Sequence, residues 1–145
     1  MAKIASSRNP AAATASLLAP DEPPPVELVP GGKGEATLFI CDHARARVPR
    51  SLGQLGLPAQ AFSRHIAWDI GAAEVARGLA SRFACPLVLS GYTRLAIDLN
   101  RRLDDPTSIP ESSDGTPVPG NLDLPRAARA ARARALFHPY HDLVA

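Results

Sequence analysis

The stretch Ala36-Thr37-Leu38-Phe39-Ile40-Cys41-Asp42-His43 runs from small and apolar side chains straight into an acid and an imidazole. It follows Gly31-Gly32, and order is expected to begin near Gly34. A short apolar run bounded by turn residues reads as a buried strand, here ending at Asp42-His43. In open α/β sheets, ligands bind beyond the carboxyl ends of the strands. His43 stands at such an end. A neutral imidazole is a good zinc ligand, and a rigid strand end holds it well. Considered alone, a histidine in this position is more often a hydrogen-bonded structural residue.

Downstream, a proline- and glycine-marked connection runs from Pro49 to Pro58, and residues 59–83 read as helical. Phe62, Ile66 and Ile70 recur every four residues, as do Val75, Leu79 and Phe83. The two stripes fall out of register around Gly71, which predicts two helices or a break at Trp68 to Gly71, with Asp69 as N-cap of the second. Pro86-Leu87-Val88-Leu89-Ser90 is a second strand candidate. Leu95 to Asn100 is a third, with Leu95, Ile97 and Leu99 on one face and Arg94, Ala96, Asp98 and Asn100 on the other. Such a strand lies at an edge or beside a site. Asp104 to Asn121 holds four prolines and two glycines and shows no periodicity, so it reads as a functional or disordered loop. A helix is expected from Asp123, its plausible N-cap, with Pro125 in the first turn. Arg126, Arg129, Arg132 and Arg134 read as a solvated face. Leu136, Tyr140 and Val144 form the apolar stripe, and Pro139, lacking an N–H, should interrupt it.

A chain of 145 residues suits one domain. With 46% hydrophobic residues and a net charge of +2, it is neither wholly disordered nor marked as a nucleic-acid or membrane-surface binder. Its two cysteines, Cys41 and Cys85, flank apolar runs and read as buried thiols, which makes a reducing cytoplasm the default. Ala11 to Leu18 is too short and alanine-rich for a good signal h-region. Asp21-Glu22-Pro23-Pro24-Pro25 favours extended polyproline geometry, so residues 1–33 are expected to form a flexible Ala/Pro-rich tail. Oligomeric state leaves no trace in the sequence.

Dinucleotide and P-loop glycine motifs, a Gly-x-Ser-x-Gly elbow, Cys-x-x-Cys and His-Glu-x-x-His are all absent from the sequence. Three groupings of chemistry-bearing residues are left. His65 and Asp69 would share a face if that stretch were helical, as a metal pair or a plain surface pair. His138 and His141 are three apart, with Pro139 between them. Arg94, Asp98, Asn100 and Arg101 combine a guanidinium fork, an amide and an orienting acid. That set suits either recognition of an acidic substrate or a structural salt bridge.

Several separate words of this sequence, in order, resemble the N-formylglutamate amidohydrolase family. They are Cys41-Asp42-His43-Ala44, Arg64-His65-Ile66-Ala67-Trp68-Asp69-Ile70-Gly71-Ala72, Arg94-Leu95-Ala96-Ile97-Asp98-Leu99-Asn100-Arg101, Ser108-Ile109-Pro110-Glu111 with Ser113-Asp114-Gly115-Thr116-Pro117, and Pro139-Tyr140-His141. The resemblance implies a three-layer α/β/α fold with a mixed sheet, related to the zinc exopeptidases. Residues 34–145 would form the N-terminal portion of that domain. It also implies zinc-dependent hydrolysis of N-formyl-L-glutamate to formate and glutamate. By the same resemblance His43 is a zinc ligand and the Asn100-Arg101 pair holds the carboxylate of the small acidic amide substrate; from the residue grouping above, Arg94 is expected to bind that substrate with them. The related exopeptidases carry a glutamate three residues after the first histidine. Ala46 stands there in this chain, so Asp69 is taken as the second ligand, with His65 as fallback. A further histidine ligand and the general base are expected beyond residue 145, and the loop from Ser108 to Asn121 is expected to close over the site. The rival readings are a truncated, inactive fragment and a binding module for acidic ligands without catalysis.

Overall fold

The computed structural model describes residues 16–32 and 36–145. Its centre is a mixed three-stranded sheet, ordered β1 (Val26–Val29), β3 (Leu87–Ser90), β2 (Phe39–Cys41). β3 is central because Leu87, Val88 and Leu89 are apolar in succession and all fully buried, the pattern of a strand covered on both faces. β1 pairs with it antiparallel, Val26 opposite Ser90 and Val29 opposite Leu87. β2 pairs parallel, Phe39 opposite Leu87 and Cys41 opposite Leu89. A parallel pair needs a long crossover, and helix α1 (Ala72–Phe83) lies within it. Leu87 and Leu89 pack with Cys41, Ala44, Ala73 and Ala80 on the α1 side. Val88 packs on the other face with Tyr92, Ile97, Leu136 and Tyr140. The fold is a mixed α/β one with helical packing on each side of the sheet.

Within the stretch 1–33, expected as a flexible tail, residues 1–15 lie outside the described residues, but β1 forms part of the sheet. Its approach is pinned as well. Tyr92 Oη donates to the Pro23 carbonyl (2.7 Å), and Gly91 N–H donates to the Pro25 carbonyl (2.8 Å). Gly91 is needed here for space. A Cβ on it would sit 2.3 Å from the Pro24 carbonyl oxygen and 2.9 Å from the Pro25 carbonyl carbon. Both are backbone atoms with no rotamer to change. Gly91→Ala is expected to cost about 1–3 kcal/mol by overpacking, read as a lower thermal midpoint. An unchanged midpoint would show that the Pro24–Pro25 segment is not held against β3.

Three expectations from periodicity are corrected. First, the break expected at Trp68 to Gly71 is present, but the stretch before it is not an α-helix. Ala59–Ser63 is a 3₁₀ turn, and only Ala72–Phe83 is α-helical. Gly71, left-handed at φ +84°, is the N-cap, and Asp69 does not cap. Glycine reaches that conformation without a Cβ penalty, which frees the Asp69 carboxylate for the site. Second, Leu95 to Asn100 forms turns rather than a strand. Leu95, Ala96, Ile97, Asp98 and Leu99 are all buried. The alternation arises because the segment runs between two core clusters, Leu95 in one with Ile66 and Val118, and Ile97 and Leu99 in the other. Third, Asp123 is not a cap. It sits at φ +48°, before helix α2 (Arg126–Arg132), whose N-cap is Pro125.

The proline-rich loop is more ordered than its composition suggests. β4 (Ser112–Ser113) and β5 (Thr116–Pro117) form a small hairpin. Asp114 and Gly115, both at positive φ, supply the two-residue turn that an Asp-Gly pair favours. Asn121 secures the loop's base, donating to the carbonyls of Leu95 (2.9 Å) and Pro110 (2.7 Å). Pro139, expected to kink or interrupt the last helix, distorts it without ending it. Ala133–Phe137 is a π-turn leading into α3 (His138–Val144), and His138 N–H reaches back to the Ala133 carbonyl. The wider turn accommodates the missing proline N–H. The four arginines of this region do not share a solvated face, because Arg132 is only 2% exposed.

Candidate functional site

His43 lies two residues past the end of β2 and is buried. Its Nε2 is 2.7 Å from Asp98 Oδ1, and its Nδ1 is 3.3 Å from Asp69 Oδ2. Asp98 is 4% exposed. Its Oδ1 also accepts the Asn100 backbone N–H (2.9 Å), and its Oδ2 accepts from Arg94 (3.0 Å). The second arm of Arg94 reaches Asp69 Oδ1 at 3.3 Å. His43, Asp69, Arg94 and Asp98 therefore form one connected group, drawn from the β2 end, the turn before α1 and the turn after β3.

Burial and charge act in opposite directions on the buried pair. Burial alone would lower the His43 pKa, but the hydrogen bond and charge of Asp98 outweigh it and hold the imidazole above its ordinary value. Burial alone would raise Asp98. Its contacts with His43, the Asn100 N–H and Arg94 bring it below the usual carboxylate range instead. This is the pattern of an ion pair that the surrounding hydrogen bonds orient. Cys41 takes no part: burial pushes its thiol up, away from the reactive thiolate.

Local anchors hold the three segments in place. Thr93 Oγ1 donates to the Ala67 carbonyl (2.7 Å), joining the turn after β3 to the one before α1. Asp69 N–H donates to the His43 carbonyl (3.0 Å). From α3, Tyr140 Oη bonds Asp42 Oδ1, and His141 Nε2 lies 3.0 Å from the Leu99 carbonyl. One helix thus grips the residue before His43 and the residue after Asp98. Burial and the Asp42 carboxylate raise the Tyr140 pKa, so the phenol stays protonated and donates.

The expected site residues divide into those that converge and those that do not. His43 and Asp69 meet. Arg94 commits its fork to Asp69 and Asp98, so it orients the acids. Asn100 and Arg101 are exposed at the end of the Asp98 turn, and Arg101 N–H bonds the Asp98 carbonyl (3.3 Å). Neither of their side chains is engaged among the described residues. His65 does not join Asp69. It is exposed and lies 3.5 Å from Asp114 in the hairpin turn, beside the Arg64–Asp114 contact at 3.6 Å. The 64–70 stretch is not helical, so the i, i+4 face on which that pair depends does not exist. His138 is exposed, and His141 stacks on Phe137 with ring centroids 4.1 Å apart. Among the described residues, no group of three or more His, Cys, Asp or Glu side chains is arranged to hold a metal ion. The contact between Asp98 and His43 was not foreseen. Its one signal was an acid set between Ile97 and Leu99, since an acid in an apolar run must find partners when buried.

A family model described as N-formylglutamate amidohydrolase matches residues 36–145. Among solved structures, the crystal structure of gene product Atu2144 from Agrobacterium tumefaciens is similar at 39% identity and a TM-score of 0.83. The match covers 88% of this chain and 51% of that one, so this chain spans about half the length of that structure. No curated protein matches. Among the described residues, no helix is long and apolar enough to cross a membrane.

Proposed function

This chain belongs to the N-formylglutamate amidohydrolase family, and from that membership we propose that it carries part of the metal and substrate site of a zinc-dependent amidohydrolase. The proposed reaction is hydrolysis of N-formyl-L-glutamate to formate and glutamate. The proposed whole is a three-layer α/β/α domain, a reading supported by helices packed on both faces of the sheet.

The observation that carries the metal reading is the two-sided environment of His43. Nε2 is fixed by a carboxylate at 2.7 Å, while Nδ1 faces Asp69 at a looser 3.3 Å. A metal-bound histidine commonly hands its second nitrogen to a carboxylate in this way. Two donors sharing one tetrahedral zinc stand roughly 3.3–3.5 Å apart. His43 and Asp69 therefore fit as two ligands of a zinc ion, with Asp98 holding the imidazole, and the remaining donors would come from elsewhere. When bound, zinc would polarise the formyl carbonyl and lower the pKa of a water molecule to about 7.

The other roles follow from what each side chain is free to do. Arg101 has an unengaged fork and suits a carboxylate, and Asn100 beside it adds an amide. Arg94 is assigned to positioning, because both its arms already hold acids. The 108–121 loop is tied to the site's flank by Arg64, which donates to Thr116 Oγ1 (2.8 Å). Closed there, it would exclude water from the reacting amide.

The test is release of formate from N-formyl-L-glutamate by the completed fold, before and after chelation of zinc. Loss on chelation and recovery on adding zinc back is the expected result. Full activity after chelation would end the metal reading. Arg101→Ala is expected to raise KM for formylglutamate by about 10-fold or more, the size of a charge-assisted contact, while barely affecting an uncharged formyl amide. Equal effects on both substrates would remove Arg101 from carboxylate recognition. Asp98→Asn is expected to weaken zinc affinity by about 10- to 100-fold, the usual consequence of losing a supporting carboxylate. Equilibrium dialysis measures it, and unchanged affinity would show that Asp98 does not tune His43.

A further inference from the structure

Three of the arginines that read as a solvated face, Arg126, Arg129 and Arg134, border a hollow together with His138. It measures about 580 Å³ and opens between α2, the π-turn after it and the segment 103–109. That is the size of a small-molecule site. Its floor is apolar. Ile97, Ile109 and Ala133 are buried there, with Ala130 half-buried beside them. Leu103, 44% exposed, stands at the rim.

The charge around this floor is one-sided. Arg126 and Arg129 are three apart on α2, and like charges at that spacing repel. Asp104 is the acid on the rim, and Arg102 already holds both its oxygens at 3.0 Å. Arg126, Arg129 and Arg134 are therefore left without a carboxylate partner among the described residues. Ser108 lies in the wall at 2% exposure. Its N–H donates to the Asp105 carbonyl (3.0 Å) and its carbonyl accepts the Asp98 N–H (2.7 Å), but its hydroxyl is unengaged among the described residues. A buried hydroxyl left without a partner is costly. Spare guanidinium forks, a spare hydroxyl and an apolar floor together fit an anion with an apolar body.

We propose that this hollow binds a small organic carboxylate with an aliphatic body, its head held by Arg126 and Arg129 and its body laid on Ile97, Ile109 and Ala133. A guanidinium fork pairs with a planar carboxylate through two parallel bonds. Methylenes placed on the floor leave water, which stabilises the complex roughly in proportion to the area covered. His138 and Ser108 can each add one hydrogen bond. An inorganic anion would use the forks and leave the floor wet. The site is separate from the proposed amidohydrolase one, since none of His43, Asp69, Arg94 and Asp98 lines it. N-formyl-L-glutamate, with two carboxylates and no long apolar segment, is a poor match for it. Filling the hollow needs no bound metal.

The experiment is calorimetric titration of the 145-residue chain with octanoate at low salt, where charge contacts are least screened. One-to-one binding is expected. Octanamide keeps the body and loses the charge, and should bind at least about 10-fold more weakly. Acetate keeps the charge and loses the body, and should also bind at least about 10-fold more weakly. Arg126→Gln combined with Arg129→Gln should weaken octanoate by at least about 10-fold. Circular dichroism should stay unchanged, because neither side chain is buried. Arg101→Gln, outside the hollow, should leave octanoate binding as it was, and excess N-formyl-L-glutamate should not displace it. Absence of octanoate binding, or binding indifferent to Arg126 and Arg129, would overturn the proposal. Acetate or inorganic phosphate binding as tightly as octanoate would overturn it too, since the floor would then play no part. Displacement by N-formyl-L-glutamate would place octanoate in the amidohydrolase site instead. Co-sedimentation with phosphatidylglycerol vesicles, lost in the double variant, would overturn the proposal in favour of a lipid surface.

Discussion

Replacing His43 with alanine is expected to reduce bound zinc in the completed fold from about one equivalent to none. Formylglutamate hydrolysis should fall by at least about 1,000-fold, because metal stabilisation of the transition state amounts to several kcal/mol and each 1.36 kcal/mol is a factor of ten. The substitution is informative because it should not unfold the chain. Asp98, which loses the 2.7 Å contact, keeps Arg94 at 3.0 Å and the Asn100 N–H at 2.9 Å, so no buried carboxylate is left unpaired. Asp69 is exposed and can turn to water. The measurements are metal content after dialysis and initial rates, on protein whose thermal midpoint matches the parent. Zinc retained at full stoichiometry would refute the ligand assignment. Zinc lost with activity unchanged would refute its catalytic use.

The legible features were those encoded by local chemistry. A short apolar run ending in Asp42-His43 announced β2 and the residue beyond it, and Leu87-Val88-Leu89 announced the central strand. The apolar stripe Val75, Leu79, Phe83 announced a helix correctly but not its surroundings, for that stripe faces outward and the small alanines face the sheet. Features decided by tertiary packing were misread. The alternation of Leu95 to Asn100 copies that of a strand, yet no ladder forms, because two core clusters take its side chains from opposite sides. Val26–Val29 followed three prolines and so read as tail, although β3 had an edge to offer it. The hairpin at Asp114-Gly115 had a clear turn signal that the prolines around it obscured. The family words named His43, Asp69 and Arg94, and the fold brings these three side chains together. Only the fold could show that Arg94 spends its fork on two acids, while the Arg101 side chain is unengaged among the described residues.

Arg132→Ala is expected to destabilise the chain by at least about 3 kcal/mol, a large share of the roughly 5–15 kcal/mol that holds a domain together. Arg132 is 2% exposed and has no carboxylate partner among the described residues. Its charge is met by dipoles instead. Nη1 donates to the Ala96 carbonyl (2.9 Å) and Asn121 Oδ1 (2.6 Å), and Nη2 donates to the Gly120 carbonyl (3.1 Å). Burial lowers its pKa to about 10, so it is still cationic at neutral pH. Asn121 in turn holds the Leu95 and Pro110 carbonyls. One guanidinium thus joins α2, the end of the proline-rich loop and the segment leading to Asp98. Truncation removes donors from two buried acceptors, the Ala96 carbonyl and Asn121 Oδ1, each costing about 1–3 kcal/mol, frees the carbonyl of exposed Gly120, and opens a cavity as well. Part of this is offset, because a charge no longer has to be buried. Arg132→Met keeps most of the volume and none of the donors, so it should fall between alanine and the parent. Arg126→Ala, on the exposed side of the same helix, should stay within about 0.5 kcal/mol. Urea unfolding of the three variants separates these outcomes. If Arg132→Ala unfolds at the same midpoint as Arg126→Ala, the guanidinium is not the tie between these elements, and the order of the Asp98 turn must come from Asn121 and the apolar core alone.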